Sequence, residues 1–381
     1  MVSSEVIRCT RCILPNTLSG IEFDEEGVCS YCRKYEKDFS NWDSIKGRKK
    51  KEFEDLLSAA KKLKRPYDCL VPLSGGKDST YVLYLCAKVY SLRCLTVTFD
   101  NGFLTTPAKD NIAKALEATG ADHFYYHINK KNSFDIYKHF MTTTGDFCSA
   151  CMRGINYSIE SAVKLFNAPL IINGSGRRVE YLDPIAEISR LHTPSYIGNV
   201  LKRDSVSTRF SHLSWNKVRL EYQKGIGAIC DIAKIPRTKV MRFCPQHLRF
   251  YDYIYTPYNE IVSIIEKEMG WTDSGGKIEH LDCVFHDIPL YMHTLNIPGI
   301  TPETCRNSAL IRQGILKRDD AIDIENKYKN NNPPDELEYF LKQTDMKLEE
   351  FKEYSTKRNG KEFEPRLQKI IRKLYYKLRK L

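Results

Sequence analysis

A glycine-rich segment at residues 74–80 carries the residue types that bind phosphate. It reads Ser-Gly-Gly-Lys-Asp-Ser-Thr and lies between an apolar run at 67–73 and a helical pattern at 79–90. Glycines let the backbone approach an anion closely, and a helix N-terminus offers free N–H groups and a positive partial charge. Lys77 adds a cation, and Asp78 is suited either to orienting the loop or to holding Mg²⁺. The segment therefore predicts a site for nucleotide phosphates.

Two Cys-x-x-Cys pairs near the N-terminus have the spacing of a structural zinc site. The pairs are Cys9 with Cys12 and Cys29 with Cys32. Four thiolates at such spacing hold zinc tetrahedrally and leave no open coordination position, which is typical of a structural ion. The alternative is four thiols without a metal. We expect a small zinc-binding unit over residues 1–40.

Short apolar runs that alternate with helical patterns predict an α/β fold with a doubly wound parallel sheet. The predicted strands are 67–73, 94–99, 122–128 and 169–173. The predicted helices between and around them are 43–65, 79–90, 107–119 and 154–166. We expect 185–225 to be irregular and 259–381 to be mostly helical. Ligands of such sheets bind beyond the carboxyl ends of the strands, where Asp100, Asn101 and Gly174 fall.

The 381 residues are 42% hydrophobic and 28% charged, which is a globular composition. No apolar run reaches the roughly 18 residues of a membrane span, and the start lacks the apolar core of a signal peptide, so we expect a cytoplasmic protein. Three parts are predicted: 1–40, a sheet domain at 41–258, and 259–381. The net charge is +11, and residues 351–381 hold seven Lys and four Arg against three Glu. The sequence predicts a basic helix at 366–381. Either the helix docks on the protein and leaves its basic face in solvent, or that face contacts an acidic partner or nucleic acid.

The segment at 74–80 resembles the Ser-Gly-Gly-x-Asp-Ser loop of the ATP-pyrophosphatase (PP-loop) family, not the G-x-x-x-x-G-K-S/T loop of hydrolytic nucleotidases. The resemblance implies the adenine nucleotide alpha hydrolase-like fold and a loop that grips the pyrophosphate half of ATP. In that family a carbonyl or amide oxygen attacks the α-phosphorus, and a nitrogen or sulfur nucleophile then displaces AMP. The implied ATP contacts are Ser74, Gly75, Gly76, Lys77, Asp78, Ser79, Thr80, Asp100, Asn101 and Gly174, with Lys77 and Asp78 also catalytic.

Further blocks resemble the N-acetyl sugar amidotransferases of bacterial surface-polysaccharide, flagellin-glycan and pseudaminic acid biosynthesis. The blocks are 9–17, 21–29, 148–154, 277–283 and 311–321. This resemblance implies adenylation of an acetamido oxygen on an N-acetylated nonulosonate or nucleotide sugar, then attack by ammonia to give an acetamidino group. The chain starts Met-Val and has no G-x-C-x-G glutaminase elbow, so a separate glutaminase subunit is expected to supply ammonia. Candidate substrate contacts are Arg153, Arg177, Arg178 and Asp282, against the alternatives of solvated arginines and a helix-capping aspartate.

Cys148, Cys151 and Cys244 leave a sulfur-transfer alternative open. Some sulfur-inserting PP-loop enzymes hold a 4Fe–4S cluster through a Cys-x-x-Cys pair and one distant Cys, and this pattern resembles theirs. Three thiolates leave one iron open to a nucleophile. The alternatives are a structural pair, or a second zinc site completed by His247. Cys148 and Cys151 are therefore candidate catalytic residues, and a tRNA-type sulfur transferase is the alternative function.

Overall fold

The computed structural model describes residues 5–176, 179, 194–201, 234–273, 282–327 and 332–357. The predictions for Arg177, Arg178 and the basic helix at 366–381 lie outside these residues, as does most of 185–225. The described part of that segment, Pro194–Leu201, is a helix, so the prediction of irregular structure is wrong there. Within the described ranges, none of the helices has both the length and the apolar composition needed to cross a bilayer.

Among the described residues, five parallel strands form a sheet with the order β3-β2-β1-β4-β5. The strands are β1 Cys69–Pro72, β2 Cys94–Asp100, β3 Asp122–His127, β4 Leu170–Asn173 and β5 Gln246–Arg249. The chain winds outwards from β1 in both directions, which confirms the predicted doubly wound fold and opens a crevice at the carboxyl ends of β1 and β4. The sequence does not predict β5, because Gln-His-Leu-Arg contains no apolar run.

Helices connect the strands and make up most of the described C-terminal region, as predicted. Their bounds are α1 Ser30–Phe39, α2 Trp42–Lys62, α3 Lys77–Tyr84, α4 Thr106–Thr119, α5 Lys130–Thr144, α6 Cys148–Phe166, α7 Pro194–Leu201, α8 Arg237–Val240, α9 Tyr258–Met269, α10 Asp287–Asn296, α11 Thr304–Arg312, α12 Arg318–Lys327, α13 Glu336–Thr344 and α14 Leu348–Lys357. A π-helical turn, Leu85–Val89, extends α3, and a 3₁₀ turn, Phe250–Asp252, follows β5. Helix α6 begins at Cys148 and not at 154, so the Cys-x-x-Cys pair occupies its first turn.

Side chains of the central strand alternate between two buried layers. Cys69 and Val71 of β1 face the core that α2, α3 and α9 share, whereas Leu70 faces α6 on the other side. Gly154 brings α6 against the sheet, because a Cβ there would lie 2.2 Å from the ring of Phe99. Both faces of the sheet are therefore covered, as an all-parallel sheet requires.

The C-terminal helices join two further apolar clusters. An aromatic cluster that includes Phe134 of α5 and Phe340 of α13 packs α5 against α13 and α14. The N-terminal cysteines form another cluster with Ile297 and Ile300. The N-terminal unit thus packs against the residues that lead into α11, which are almost 300 positions away in the sequence.

Candidate functional site

The phosphate loop between β1 and α3 is held in shape by a glycine and by two donors from other elements. Gly75 has a φ of +83°, and a Cβ at this position would lie 2.2 Å from the carbonyl oxygen of Ala108 in α4. Trp271 Nε1 and Asn111 Nδ2 donate hydrogen bonds to the carbonyl oxygen of Gly75, at 2.9 and 3.3 Å. The backbone passes α4 too closely for any side chain at position 75, so glycine is required there.

The hydroxyl groups of the loop bond mainly to the loop itself. Ser79 Oγ accepts from the N–H of Ser74 at 3.2 Å and donates to the carbonyl oxygen of Gly76 at 3.1 Å. Thr80 is fully buried, and its Oγ1 has no hydrogen-bond partner among the described residues. Residues 74–79 line a cavity that opens over the loop, whereas Thr80, a predicted ATP contact, belongs to α3 and is not among the lining residues.

Asp78 is fixed by two partners, one of which the sequence does not predict. Lys77 Nζ donates to Asp78 Oδ2 at 2.8 Å, and the hydroxyl of Tyr251 donates to Asp78 Oδ1 at 2.5 Å. Burial, together with the negative charge of Asp78, raises the pKa of Tyr251 well above its usual value, so the hydroxyl remains a donor. Lys77 Nζ also lies 5.3 Å from the ring centroid of Tyr258. A Cβ on Gly174 would come within 2.9 Å of Asp78, which explains a glycine after β4.

A cavity of about 490 Å³ opens over the loop at the carboxyl ends of the central strands. Its polar end is formed by residues 74–79 and 173–175, and Val97, Phe99 and Ile155 contribute an apolar wall. This division fits a nucleotide, whose phosphates need donors and whose base needs apolar contact. Hard carboxylate oxygens also reach the cavity and fit Mg²⁺, which binds through a few carboxylates and substrate phosphates. They belong to Asp78, Asp273 and Asp282.

Asp100 and Asn101 follow β2 and have different surroundings. The buried Asp100 carboxylate accepts from the N–H of Gly102 at 2.7 Å, from the hydroxyl of Tyr125, and from His127 Nδ1 at 3.1 Å. Burial alone raises the pKa of Asp100, but these hydrogen bonds outweigh it and leave the pKa below its usual value. Asp100 is therefore an anion that braces the turn, while Asn101 lines the cavity.

The structure does not bring Cys244 to the Cys148–Cys151 pair. Cys244 precedes β5 at the amino edge of the sheet, whereas Cys148 and Cys151 lie in the first turn of α6 at the carboxyl edge. In the cavity, Cys151 is accompanied by Cys283 instead, and Asn101 Nδ2 donates to Cys151 Sγ at 3.4 Å. Burial raises the pKa of Cys151, and burial with the nearby Cys151 raises that of Cys283 to about 12. The predicted three-cysteine set is thus not supported by the geometry, because a sheet separates its members.

The predicted substrate contacts also separate. The guanidinium of Arg153 makes a two-pronged ion pair with Glu160, at 2.9 and 2.6 Å, and the two side chains are only 1% and 4% exposed. Arg153 therefore pairs with Glu160 within α6 and is too deeply buried to contact a ligand. Asp282 does line the cavity, and its carbonyl oxygen accepts from the N–H of Thr105 at 3.2 Å.

The four N-terminal cysteines do converge. Their sulfur atoms lie within 4.8 Å of one another, and all four residues are buried. The Sγ atoms of Cys9 and Cys32 are 4.0 Å apart, and those of Cys12 and Cys29 are 3.7 Å apart. Zn–S bonds of about 2.3 Å in a tetrahedron place sulfurs about 3.8 Å apart, so the donor set fits zinc. In the part of the chain that the structure describes, this is the group of three or more ligand side chains that could hold a metal ion.

Residues of the C-terminal region complete this four-cysteine site. Arg318 Nε donates to the carbonyl oxygen of Cys12 at 3.0 Å, and Arg318 Nη2 donates to that of Cys9 at 3.2 Å. Arg8 Nη2 bonds the buried Glu325 at 3.2 Å, and Glu325 also accepts from Thr304 Oγ1 at 2.7 Å. The loop that carries the cysteines is thus held from outside by α11 and α12.

Comparison with known proteins adds to this geometry. Residues 299–378 match the family model described as "LPS biosynthesis protein WbpG-like, C-terminal domain". An uncharacterized protein of Methanocaldococcus jannaschii, MJ1599, is 28% identical over 169 residues, which are 44% of this chain and 58% of that protein. The chain therefore spans less than two-thirds of this relative. The C-terminal region is similar to a lipopolysaccharide-biosynthesis domain.

Two solved structures are similar in outline only. The U34-tRNA thiolase NcsA from Methanococcus maripaludis, with its 4Fe–4S cluster, has 14% identity and a TM-score of 0.31, covering 86% of this chain and 85% of its own. The NH3-dependent NAD synthetase from Campylobacter jejuni has 14% identity and a TM-score of 0.28, covering 58% of this chain and 93% of its own. TM-scores this low do not indicate which residues of this chain form a functional site.

Several residues of the site are missed by sequence reasoning. Trp271 and Asn111 hold the Gly75 carbonyl, Tyr251 holds Asp78, and Cys283 lies beside Cys151. Each reaches the site from an element distant in sequence, with no spacing pattern to mark it. Cys283 alone had a signal, because it ends a block, 277–283, that resembles a known family.

Proposed function

We propose that this chain is an ATP-dependent, AMP-forming amidotransferase that acts on an N-acetylated sugar of surface-polysaccharide biosynthesis. The observation that carries the proposal is the loop at 74–79. Its glycine turn leads into the N-terminus of α3, and the loop lines a cavity that has a polar and an apolar end. Free N–H groups at a helix start, with Lys77 beside them, suit the stabilisation of a departing pyrophosphate. The lipopolysaccharide-biosynthesis match at 299–378 supports a sugar substrate.

The proposed reaction runs in two displacements. The acetamido oxygen attacks the α-phosphorus of ATP, and the bond to pyrophosphate breaks. Ammonia then adds to the imidate carbon, loses a proton, and expels AMP to leave an acetamidino group. The chain's own part is to position the reactants and to stabilise charge. One or two of the carboxylates that line the cavity, those of Asp78, Asp273 and Asp282, would hold Mg²⁺ together with the substrate phosphates, whose charge the ion neutralises when bound.

The ammonia source, the sugar and the cellular location complete the proposal. A separate glutaminase subunit supplies ammonia, the substrate is a nonulosonate or a nucleotide-linked acetamido sugar, and the reaction takes place in the cytoplasm. The N-terminal cysteines hold zinc as a structural ion, since their geometry leaves no open ligand position.

A sulfur transferase is the second candidate, and one observation favours it. Cys151 and Cys283 both line the cavity over the loop, where sulfur chemistry would need thiols. Their raised pKa values oppose it, because a neutral thiol is a poor nucleophile and a poor ligand. Amidotransfer therefore remains the leading function.

The deciding experiment measures products. Purified protein is incubated with Mg²⁺, ATP, ammonium and a panel of N-acetylated sugars, and AMP, ADP, pyrophosphate and phosphate are quantified. Sugar-dependent AMP and pyrophosphate are expected, and both should vanish in Lys77→Ala but persist in Lys267→Ala, where an 82% exposed lysine is removed. Formation of ADP and phosphate refutes the proposal. AMP formation that requires tRNA and a sulfur donor would show that the chain is the sulfur transferase instead.

A further inference from the structure

A second, smaller cavity adjoins the first one at the phosphate loop. It measures about 200 Å³. It shares four residues with the first cavity, namely Lys77, Asp78, Gly174 and Ser175. These four residues stand between the cavities, so a group bound at the loop touches both.

Beyond the four shared residues, most of the lining of the second cavity comes from the chain after β5, from α9 and from the end of α11. Tyr251 and Tyr255 follow β5, Tyr258 begins α9, and Leu310 and Gln313 come from the end of α11. The lining includes groups that can donate hydrogen bonds, namely the hydroxyls of Tyr255 and Tyr258, the amide of Gln313 and the ammonium of Lys77. Among the described lining residues Asp78 is the acidic one, and Lys77 and Tyr251 already bond both of its oxygens.

A second cation lies close to this cavity. Arg306 shares a face of α11 with Leu310, one turn away. Its Nη1 bonds Glu303 at 2.6 Å, and its buried Nε has no hydrogen-bond partner among the described residues. Lys77 and Arg306 both lower the pKa of Tyr258 against the larger, raising effect of burial, so both cations lie near that hydroxyl.

Ile315 marks the mouth of the second cavity. It lines the cavity, yet 47% of it is exposed to solvent. Gly314, with φ of +74°, ends α11, and the N–H of Ile315 bonds the carbonyl oxygen of Leu310 at 2.9 Å. This glycine turn therefore fixes the position of Ile315. The need for that turn explains a glycine at the end of the sequence block 311–314.

We propose that the second cavity is the exit site of pyrophosphate, which leaves the loop past Lys77 and reaches solvent beside Ile315. This inference rests on the proposed function. Displacement at the α-phosphorus sends pyrophosphate away from the attacking oxygen, in line with it. With adenosine on the apolar wall of the first cavity, the donors beyond Lys77 and Asp78 are the next contacts that the anion meets.

The test changes charge at the mouth without touching the loop. Product inhibition by pyrophosphate is measured for Ile315→Asp, Ile315→Lys and the neutral Ile315→Asn, with Leu165→Asp, at an exposed apolar residue that does not line the cavity, as the charge control. A charge within several ångströms of a multivalent anion at the surface changes its affinity about threefold to tenfold. We expect Ile315→Asp to weaken inhibition by that factor, Ile315→Lys to strengthen it, and added salt to reduce both effects.

Inhibition by AMP is the internal control, because AMP occupies the first cavity only. It should stay within about twofold of the wild-type value in all variants, as for independent sites. If pyrophosphate inhibits Ile315→Asp, Ile315→Lys and Ile315→Asn equally, the exit site is refuted while AMP formation still stands. Direct calorimetric titration with pyrophosphate separates this result from failure of the proposed function, in which ATP gives ADP and wild-type protein does not bind pyrophosphate.

Discussion

Arg318 and Cys9 are joined by hydrogen bonds across most of the length of the chain. The guanidinium reaches the carbonyl oxygen of Cys9 at 3.2 Å from Nη2, and that of Cys12 at 3.0 Å from Nε. Carbonyl groups that are fixed in this way hold the turn that presents the two thiols. The C-terminal region, which matches a lipopolysaccharide-biosynthesis domain, therefore helps to shape the four-cysteine site.

This relationship predicts that Arg318→Met destabilises the four-cysteine site. Hydrogen bonds from a charged donor contribute about 1.5–3 kcal/mol, so the free energy of unfolding should fall by about 2 kcal/mol. Thermal unfolding with and without a chelator measures the effect, and zinc content reports the site directly. Lys317→Met, at the exposed neighbour, is the control and should match wild type. Cys9→Ser should lower the melting temperature further, and equal melting of Cys9→Ser and wild type would exclude a structural metal.

Gly75→Ala should abolish ATP binding. The added Cβ would lie 2.2 Å from a backbone oxygen of α4, so the loop must move. Gly20→Ala is a matched control, because Gly20 has a similar φ of +76° but open space around it. Backbone strain alone costs on the order of 1 kcal/mol and should leave nucleotide binding intact in that control. Equal nucleotide affinity in Gly75→Ala and wild type, measured by calorimetry, would show that the loop does not hold ATP.

Tyr251→Phe tests whether Asp78 must be held in place. The substitution removes the 2.5 Å hydrogen bond and keeps the ring. We expect kcat/KM for AMP formation to fall about tenfold or more, the value of a hydrogen bond to a charged group. Tyr339→Phe, at a 44% exposed ring on α13, is the control. If Tyr251→Phe has a lower melting temperature but an unchanged kcat/KM, Tyr251 has only a structural role.

Arg153→Met should act on stability and not on substrate affinity. Breaking a buried ion pair leaves Glu160 as an unpaired buried charge, which costs about 3–5 kcal/mol. The double variant Arg153→Met/Glu160→Leu removes both charges and should recover most of that loss. Chemical denaturation measures all three proteins. If Arg153→Met instead folds normally and raises the KM for the sugar, Arg153 contacts the substrate as the sequence first indicated.

The thiol of Cys283 should react slowly at neutral pH. Its pKa is raised from 9.0 to about 12, chiefly by burial, so the thiolate fraction stays small until the pH approaches 12. Alkylation by iodoacetamide should therefore accelerate about tenfold for each pH unit above 7, because the thiolate is the nucleophile. ATP should protect Cys283, which lines the cavity, and should not protect Cys244 at the opposite edge of the sheet. Mass spectrometry of labelled peptides measures both, and rapid labelling of Cys283 at pH 7 would contradict the raised pKa.

The sequence alone determined the features that depend on local spacing. The segment at 74–80 specifies its turn and helix start through adjacent residues, and the two Cys-x-x-Cys pairs define a metal site through ligand type and spacing. Four of the five strands in the described sheet follow from short apolar runs, and the fold class follows from their alternation with helices. Such signals are legible because the contacts that create them lie within a few residues of one another.

Tertiary structure decided which distant side chains meet. The parallel pairing of β5 places Cys244 at the amino edge of the sheet, the fold brings Cys283 beside Cys151 in the cavity, and the packing of α6 turns Arg153 toward Glu160. Tyr251 meets Asp78 only because β5 pairs with β4, and β5 has too few apolar residues to be recognised. These contacts are set by how buried layers fit together in space, and the one-dimensional order of residue types does not encode that fit in any single segment.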